Sequence, residues 1–302
     1  MKIALVSTFG IKCGIAQYTR ELVEALKLQG LNPTIIANIP SNKNIQDHQV
    51  FPDDGFNVHR CWSVEGWSNE IKAPDITEVF DVYHVQYESF LYGDTWFPSW
   101  VRSLMLRGAK FIITYHSSGR SPLHPVDCFD LGICHNKETY NSIQTKFKML
   151  MELPCQYRKP KIATFGLGRS NVEWITQACN ELGYEFVNLI RATGDNWTSI
   201  DGLIDDLRAC DAIVLPYHPV GAYVSSSAVK TALATYRPVI VSKTSWFSSL
   251  SSDYVYKHDY DYASFKTTLE YVIGHRQKFL KSISWEVAAK KHHEWYQAAT
   301  NL

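Results

Sequence analysis

Short apolar runs alternate with helix-length segments along this chain, and this alternation constrains the fold more than any other feature of the sequence. The runs in the first half are rich in β-branched residues: KIALVS, PTIIAN, DVYHVQ and KFIITYH. Turn residues bound these runs and amphipathic stretches separate them, which is the pattern of parallel strands joined by crossover helices. We therefore predict a doubly wound, Rossmann-like α/β domain.

A second series of the same kind begins after a polar, proline-containing segment, LPCQYRKPK at 153–161. Its strand-like runs are IATFG, EFVNLI, DAIVLPY and PVIVS. Two series predict two domains, 1–154 and 155–302, and the ligands of such sheets collect beyond the carboxyl ends of the strands. Residues 41–71 interrupt the rhythm, and there we predict an irregular excursion with a short strand at NVHRCW.

The composition narrows the partners and the compartment. Lys plus Arg and Asp plus Glu number 30 each, so the net charge gives no support for a diffuse electrostatic grip on nucleic acid or membrane. The seven cysteines are scattered without a Cys-x-x-Cys pair, which predicts reduced thiols and a cytoplasmic protein. No apolar run approaches the roughly 18 residues of a membrane span. The cluster KKHH at 290–293 is predicted to lie on a solvated helix face, with weak contact to anionic lipid as an alternative.

The first helix is predicted by apolar residues that recur about every 3.6 positions: Ile15, Tyr18, Leu22 and Leu26. Gly30 is expected to end it. Gly14, directly before the helix, leaves the backbone open to an anion or a strongly polar sugar. The pattern is not Gly-x-Gly-x-x-Gly, so a dinucleotide fingerprint fails, and a tight turn needed only for packing stays an alternative for Gly10 and Gly14.

Five segments together resemble the GT-B glycosyltransferases of family 4 type, and they follow the order of that family from residue 1 to about residue 298. They are KCGIAQYTRELVEAL, DVYHVQYESFLY, FIITYHSS, ACDAIVLPYHPVGAYVSSSAVKTALATYRPVIVS and SWEVAAKKHHEWYQ. The resemblance implies two Rossmann-like domains that face a central cleft, with a C-terminal helix that crosses back to the first domain. It also implies retaining, metal-independent transfer without a cofactor, from a UDP- or GDP-linked sugar held mainly by the second domain to an acceptor held mainly by the first.

Site residues follow from the resemblance position by position. On the donor side they are Gly14, Gly168, Arg169, Arg191, Tyr223, Ser225, Ser226 and Ser227; on the acceptor side they are His84, Gln86 and Glu88. His116, which matches a histidine near the transferred sugar, and Arg169, whose planar charged fork suits a diphosphate, are the implied catalytic residues. A structural histidine and a solvated loop arginine are the alternatives for these two.

The sequence departs from the family where two glutamates usually stand eight positions apart. Those positions hold Tyr223 and Thr231, and the second glutamate normally holds the nucleotide ribose. The serine run 225–227, at the predicted start of a helix, is left to receive the diphosphate. The one Asp-x-Asp spacing, Asp259 and Asp261, is interpreted as a helix cap and not as a metal site.

Several functions remain open. The favoured one is a glycosyltransferase whose acceptor is a glycan, a lipid-linked sugar, a small molecule or a modified nucleic-acid base. A nucleotide-sugar epimerase or phosphorylase-like enzyme of the same fold is the second, and a catalytically silent nucleotide-sugar-binding protein is the third. Aromatic side chains could stack on sugars or bases in any of these: Tyr87, Trp96, Trp100 and Tyr223.

Overall fold

The structure is a computed structural model that describes residues 1–41, 48–64, 72–117, 129–166, 170–190, 199–219, 227–247, 250 and 253–301. Within these ranges the strands are β1 Ile3–Ser7, β2 Thr34–Asn38, β3 Asn57–Trp62, β4 Val82–Tyr87, β5 Lys110–Tyr115, β6 Leu131–Cys134, β7 Phe147–Leu150, β8 Lys161–Gly166, β9 Glu185–Ile190, β10 Ala212–Leu215, β11 Val239–Ser242 and β12 Val255–His258.

The α-helices of the described ranges follow in the same order. They are α1 Gly14–Leu28, α2 Phe97–Met105, α3 Lys137–Ser142, α4 Val172–Leu182, α5 Ile200–Arg208, α6 Ser227–Leu233, α7 Tyr262–Ser282 and α8 Trp285–Thr300. The described part of the chain contains no helix both long and apolar enough to cross a bilayer. Each of its six cysteines is a free thiol.

Two parallel sheets confirm the predicted α/β fold. The first has seven strands in the order β3-β2-β1-β4-β5-β6-β7, and the second has five in the order β12-β11-β10-β8-β9. All neighbouring strands in both sheets run parallel. The strand order reverses beside β1 in the first sheet and beside β8 in the second, as in doubly wound folds.

The chain divides into two compact units, and this division differs from the predicted domains at the C-terminus. The first unit joins Met1–Gln156 with Ile283–Leu302, and the second is Tyr157–Ser282. The last helix belongs to the first unit because α8 buries one face there, with Trp285, Ala288, Ala289 and Tyr296 in the same apolar cluster as Leu22 of α1. The prediction that the C-terminal helix crosses back to the first domain is therefore confirmed, whereas the boundary 155–302 assigns that helix to the other domain.

The first sheet has an apolar core on each face because successive strand residues point to opposite sides. Ala4 and Val6 of β1 lie in one cluster, and Ile3 and Leu5 lie in the other, which contains the inner faces of α1 and α8. Helix α1 ends at Leu28, and Gly30 follows with a φ of 78°. The apolar spacing and the terminating glycine thus behave as the sequence predicts.

Candidate active site

An open pocket of about 470 Å³ lies in the first unit, at the carboxyl ends of β1, β4 and β5. The strand order reverses between β1 and β4, so the pocket occupies the position at which doubly wound sheets bind their ligands. Its lining includes Gly14, Tyr18, Glu21, Glu88, His116 and Trp285. The structure therefore brings together three of the predicted site residues, namely Gly14, Glu88 and His116.

The start of α1 opens onto this pocket without a capping side chain. Cys13 occupies the N-cap position in an extended conformation and makes no side-chain cap, and the first turn contains no acidic residue. A Cβ atom added to Gly14 would have no atom within 4 Å. The first backbone N–H groups and the positive end of the helix dipole are thus available to a polar ligand.

Gly10 has a different role from Gly14, although the sequence alone left both undecided. Its φ of 67° favours glycine, and an added Cβ would lie 2.9 Å from the Phe51 carbonyl oxygen and 3.0 Å from a guanidinium nitrogen of Arg60. Arg60 in turn binds the backbone carbonyl of Phe9 at 3.2 Å and Asp53 at 2.6 Å. Gly10 is therefore required by close packing of the turn.

His116 follows β5, and its imidazole lies between the pocket and the interior. Nε2 lies 3.0 Å from the side-chain Oε1 of Gln86, and the ring packs edge-on against Tyr18 with centroids 4.9 Å apart. Burial, with a smaller contribution from nearby His135, lowers the pKa of His116 to about 3. The ring is therefore neutral near pH 7, and one ring nitrogen can accept a hydrogen bond while the other donates.

The charged groups of the pocket are carboxylates. Glu88 Oε1 accepts a hydrogen bond of 2.7 Å from the hydroxyl of Ser117, and Glu21 Oε1 accepts one of 2.7 Å from Gln17. Among the described residues, no lysine or arginine lines the pocket. Hydroxyl donors are consequently better partners for this surface than a diphosphate, which two carboxylates would repel.

His84 and Gln86 are not exposed to an acceptor, contrary to the sequence expectation. Both side chains are 0% exposed. They do lie on one face of β4, as their spacing predicts, but helix α8 covers that face: His84 Nδ1 lies 2.7 Å from the hydroxyl of Tyr296. The two residues therefore reach the pocket only through His116, to which Gln86 is hydrogen-bonded.

Sequence reasoning also missed a buried cluster of aromatic and histidine side chains behind the pocket. His292 was predicted to be solvated, yet it is 0% exposed, and its ring lies 5.3 Å from that of His84. His135 lies 5.4 Å from Tyr18 by ring centroids, and Trp285 lies 4.8 Å from the same ring. Burial lowers the pKa of His84 and of His135, and it lowers the pKa of His292 to about 4.

Several polar atoms of this cluster have no hydrogen-bond partner among the residues that the structure describes. They are the Tyr18 hydroxyl, Trp285 Nε1, His135 Nε2 and His292 Nε2. An unpaired buried polar atom costs free energy, commonly about 1–3 kcal/mol. Tyr18 and Trp285 also line the pocket, but these polar atoms are themselves buried, so the two residues present mainly ring surface to it.

Most of the donor residues implied by the resemblance lie outside the described residues. These are Gly168, Arg169, Arg191, Tyr223, Ser225 and Ser226. Ser227 is the first residue of α6 and is exposed, and Thr231 lies within the same helix and is half-buried. Their roles remain predictions.

The carboxyl edge of the second sheet carries an aromatic group that the sequence did not indicate. Tyr260, after β12, lies between Trp174 of α4 and His218 after β10, with centroid distances of 4.8 and 5.1 Å. The aromatic residues proposed for stacking behave differently. Tyr87 and Trp96 are buried in the core of the first unit, Trp100 packs against that core, and Tyr223 lies outside the described residues.

The Asp-x-Asp pair has the structural role that the sequence predicts. Asp261 Oδ1 accepts a hydrogen bond of 2.8 Å from the Ser264 backbone N–H at the start of α7, and Asp259 pairs with Lys243 at 2.9 Å. The described residues contain no cluster of three or more side chains suited to a metal ion. Metal independence of the reaction stays a prediction.

Three structures of other proteins resemble this chain at low identity. Anabaena HepE in complex with UDP-glucose matches with a TM-score of 0.38 and 10% identity over 99% of this chain and 100% of the other. An alpha-glucosyltransferase in complex with UDP and a 13-mer DNA matches with a TM-score of 0.35 and 10% identity over 91% and 90%. WaaG, described as a glycosyltransferase involved in lipopolysaccharide biosynthesis, matches with a TM-score of 0.28 and 9% identity over 97% and 95%.

No protein-family model matches the chain, and no curated protein matches it significantly. All three TM-scores lie below 0.5, so we base the functional conclusion on the residues of this chain.

Proposed function

We propose that this protein is a GT-B glycosyltransferase that moves a sugar from a UDP- or GDP-linked donor to an acceptor hydroxyl, with retention and without a metal ion. The observation that carries the proposal is the pocket of the first unit. One pocket is lined by the uncapped start of α1 at Gly14, the neutral ring of His116, the carboxylate of Glu88 and the aromatic rings of Tyr18 and Trp285. Such a combination suits a sugar, which offers both hydroxyl groups and apolar ring faces.

The distribution of charge supports assigning the sugar or acceptor to the first unit and the diphosphate to the second. The cation-free lining described above favours the sugar or the acceptor, since Glu21 and Glu88 would disfavour a diphosphate. Following the sequence resemblance, we assign the diphosphate to the second unit, to Gly168, Arg169, Arg191, Tyr223 and the serine run 225–227. The aromatic group formed by Trp174, His218 and Tyr260 provides a surface for the nucleobase.

The proposed reaction replaces one bond at the anomeric carbon by another. The bond from that carbon to the diphosphate oxygen breaks, a bond to the acceptor oxygen forms on the same face, and the acceptor proton leaves with the nucleoside diphosphate. Arg169 would stabilise the charge that develops on the leaving phosphate. His116 and Glu88 would bind hydroxyl groups of the sugar or acceptor.

The acceptor is proposed only by chemical class, as a glycan, a lipid-linked sugar, a small molecule or a modified nucleic-acid base. Cytoplasmic location and weak peripheral contact with a membrane stay proposals of the same kind.

Thr231 favours one other candidate function. It stands in α6 at the position where the resemblance expects the ribose-binding glutamate, so a nucleotide-sugar-binding protein without turnover is the alternative. Donor hydrolysis in the absence of an acceptor separates an enzyme from a binder, and release of a free epimerised sugar would identify an epimerase.

The test begins with a panel of UDP- and GDP-sugars, UDP-glucose among them, read by thermal shift and calorimetry. Turnover is then followed as release of nucleoside diphosphate, with and without a chelator. We expect one donor to bind, and we expect the protein to turn it over in the presence of the chelator. Binding without turnover for every acceptor class would favour the binding protein, and activity that requires added manganese would contradict the metal-independent assignment.

A further inference from the structure

A continuous line of hydrogen bonds runs from α8 through β4 to the pocket. Tyr296 Oη lies 2.7 Å from His84 Nδ1, and His84 Nε2 lies 3.2 Å from Gln86 Nε2. Gln86 Oε1 then lies 3.0 Å from His116 Nε2. The Tyr296, His84 and Gln86 side chains are fully buried, and His116 is the member that lines the pocket.

The chemistry of an amide fixes the direction of each bond in this line. The carbonyl oxygen of Gln86 can only accept, so Nε2 of His116 must carry a proton. The amide nitrogen of Gln86 can only donate, so Nε2 of His84 must carry a lone pair. The hydroxyl of Thr114 lies 2.8 Å from the same His84 nitrogen and, since a hydroxyl can donate or accept, is compatible with this tautomer.

We propose that Gln86 holds His84 and His116 in opposite tautomers, with the proton on Nδ1 of His84 and on Nε2 of His116. Nδ1 of His116, which has no hydrogen-bond partner among the described residues, is then the acceptor that the pocket offers to a ligand hydroxyl. Gln86, His84 and Tyr296 are positioning residues in this arrangement, because they act through His116 and do not touch the pocket.

Burial supports this arrangement, since it lowers the pKa of both rings and keeps each with a single ring proton near pH 7. An amide turned by 180° would exchange both tautomers at once. Opposite tautomers thus follow from either orientation of Gln86, while the orientation in the structure selects Nδ1 of His116 as the acceptor.

The direct test is nitrogen NMR of the full-length protein with ¹⁵N-labelled histidine, with each ring assigned by single substitution. We expect His116 to show a protonated Nε2 and a bare Nδ1, and His84 to show the reverse. Identical tautomers, or the opposite assignment, would overturn the proposal.

Substitutions of Gln86 test its role. Gln86→Met keeps the length of the side chain and removes both hydrogen bonds, so we expect the His116 signal to become a mixture of tautomers. Gln86→Glu supplies only acceptors when its carboxyl group is ionised, and in that state His84 should move its proton to Nε2 and give both rings the same tautomer. If the His84 and His116 signals of both variants matched those of the unaltered protein, Gln86 would not set the tautomers.

Tyr92→Phe is the matched control for disturbance of the core. The Tyr92 hydroxyl donates to the backbone oxygens of Val6 and Gln86 and is as buried as the Gln86 side chain, but it touches neither ring. Its loss should leave both tautomers in place. A mixture of tautomers in Tyr92→Phe equal to that in Gln86→Met would attribute the change to general loosening and would contradict the proposal.

The effect on turnover rests on the proposed function, so it is measured separately. We expect Gln86→Met to lower kcat at least roughly 10-fold with little change in KM, and Tyr92→Phe to retain kcat. Opposite tautomers in a protein that turns over no nucleotide sugar would leave this inference standing and would remove the proposed function. An active transferase in which both rings have the same tautomer would leave the proposed function standing and would overturn this inference.

Discussion

The first β–α turn of each unit follows the same topology, but the two helices begin differently. In the first unit, α1 starts at Gly14 behind Cys13, which provides no cap, and no acidic residue stands in its first turn. In the second unit, Asn171 caps α4 through a hydrogen bond of 3.2 Å from the Trp174 N–H, and Glu173 lies in the first turn. One helix start is open to a ligand, and the other is satisfied within the chain.

This difference determines which of the two turns leaves its first backbone N–H groups without a side-chain cap. The fold supplies a helix N-terminus at the carboxyl edge of both sheets. At α4 the Asn171 side chain accepts a hydrogen bond from the Trp174 N–H, and the carboxylate of Glu173 in the first turn complements the dipole. In the proposed function, side chains such as Arg169 bind the donor diphosphate in the second unit, whereas the backbone at the start of α1 is offered to the sugar or the acceptor.

The largest expected effect concerns acid stability, which should separate the two units. Among the described residues of the first unit, four histidines have a lowered pKa, with values of about 4 for His292 and about 3 for His116. A histidine that stays neutral in the fold takes up a proton only on unfolding, so stability falls as the pH drops below the ordinary value of 6.5 and continues to fall to about pH 3. Each such group contributes up to about 1.4 kcal/mol per pH unit.

Hydrogen exchange between pH 7 and pH 5, read separately for the two units, checks this expectation. The first unit should lose protection first, because the described residues of the second unit contain one such histidine, His258. In denaturant unfolding, His292→Gln should reduce the pH slope by about one proton, while Tyr92→Phe should lower stability equally at every pH. A pH-independent stability of the first unit would contradict the assignment of neutral buried histidines.

The second-largest expected effect concerns turnover and tests the first β–α turn of the second unit, between β8 and α4. Arg169→Ala should lower turnover by roughly 100-fold or more, because the satisfied end of α4 leaves this guanidinium to stabilise the leaving phosphate. Arg208→Ala is the matched control, since Arg208 forms an exposed ion pair with Asp205. Equal turnover of the two variants, measured as release of nucleoside diphosphate, would remove Arg169 from the site.

Filling the open turn of the first unit should have a somewhat smaller effect on turnover. Gly14→Val places its Cβ where no atom lies within 4 Å, so we expect the fold to hold and turnover to fall roughly 10-fold or more as the pocket fills. Gly10→Ala should instead reduce the stability of the fold, because its Cβ would collide with the Phe51 carbonyl. Thermal unfolding and nucleotide release, measured on both variants, distinguish the two glycines. An unaltered turnover of Gly14→Val would exclude this turn from the site.

The smallest expected effect comes from exchanging the caps. Cys13→Asn copies the cap of α4 onto α1 and should raise stability by about 1 kcal/mol while raising the KM for the substrate bound at this turn a few-fold. Asn171→Ala should cost about 1 kcal/mol. Denaturant unfolding gives the stability, and steady-state kinetics give the KM. A Cys13→Asn variant that is more stable and has an unchanged KM would show that the α1 start does not contact substrate.

The sequence was sufficient to predict those secondary-structure elements whose apolar residues follow a clear pattern. The apolar runs identified eight strands, because buried parallel strands are almost continuously apolar, and β3 was predicted separately at NVHRCW. Strands β6, β7 and β12 were not predicted. β7 is short and lies at the edge of the sheet, where Phe147 is 52% exposed, so its composition carries little signal.

The candidate site was predictable only in part, because burial of polar residues depends on what packs over them. Gly14, Glu88 and His116 were implied by the family resemblance, which placed them after strands, where the pocket lies. His292 was misread from its basic neighbours, although its spacing from Trp285, Ala288 and Tyr296 marks the buried face of α8. Tyr18 was taken as core alone, and only the packing of α8 shows that it also lines the pocket.

The most direct measurement of the central claim is proton NMR of the unaltered protein mixed with its nucleotide-sugar donor, an acceptor and a chelator. We predict acceptor-dependent release of nucleoside diphosphate, together with a new glycoside whose anomeric configuration is that of the donor. An inverted product, a free epimerised sugar, or no release from any UDP- or GDP-sugar across the acceptor classes would contradict it.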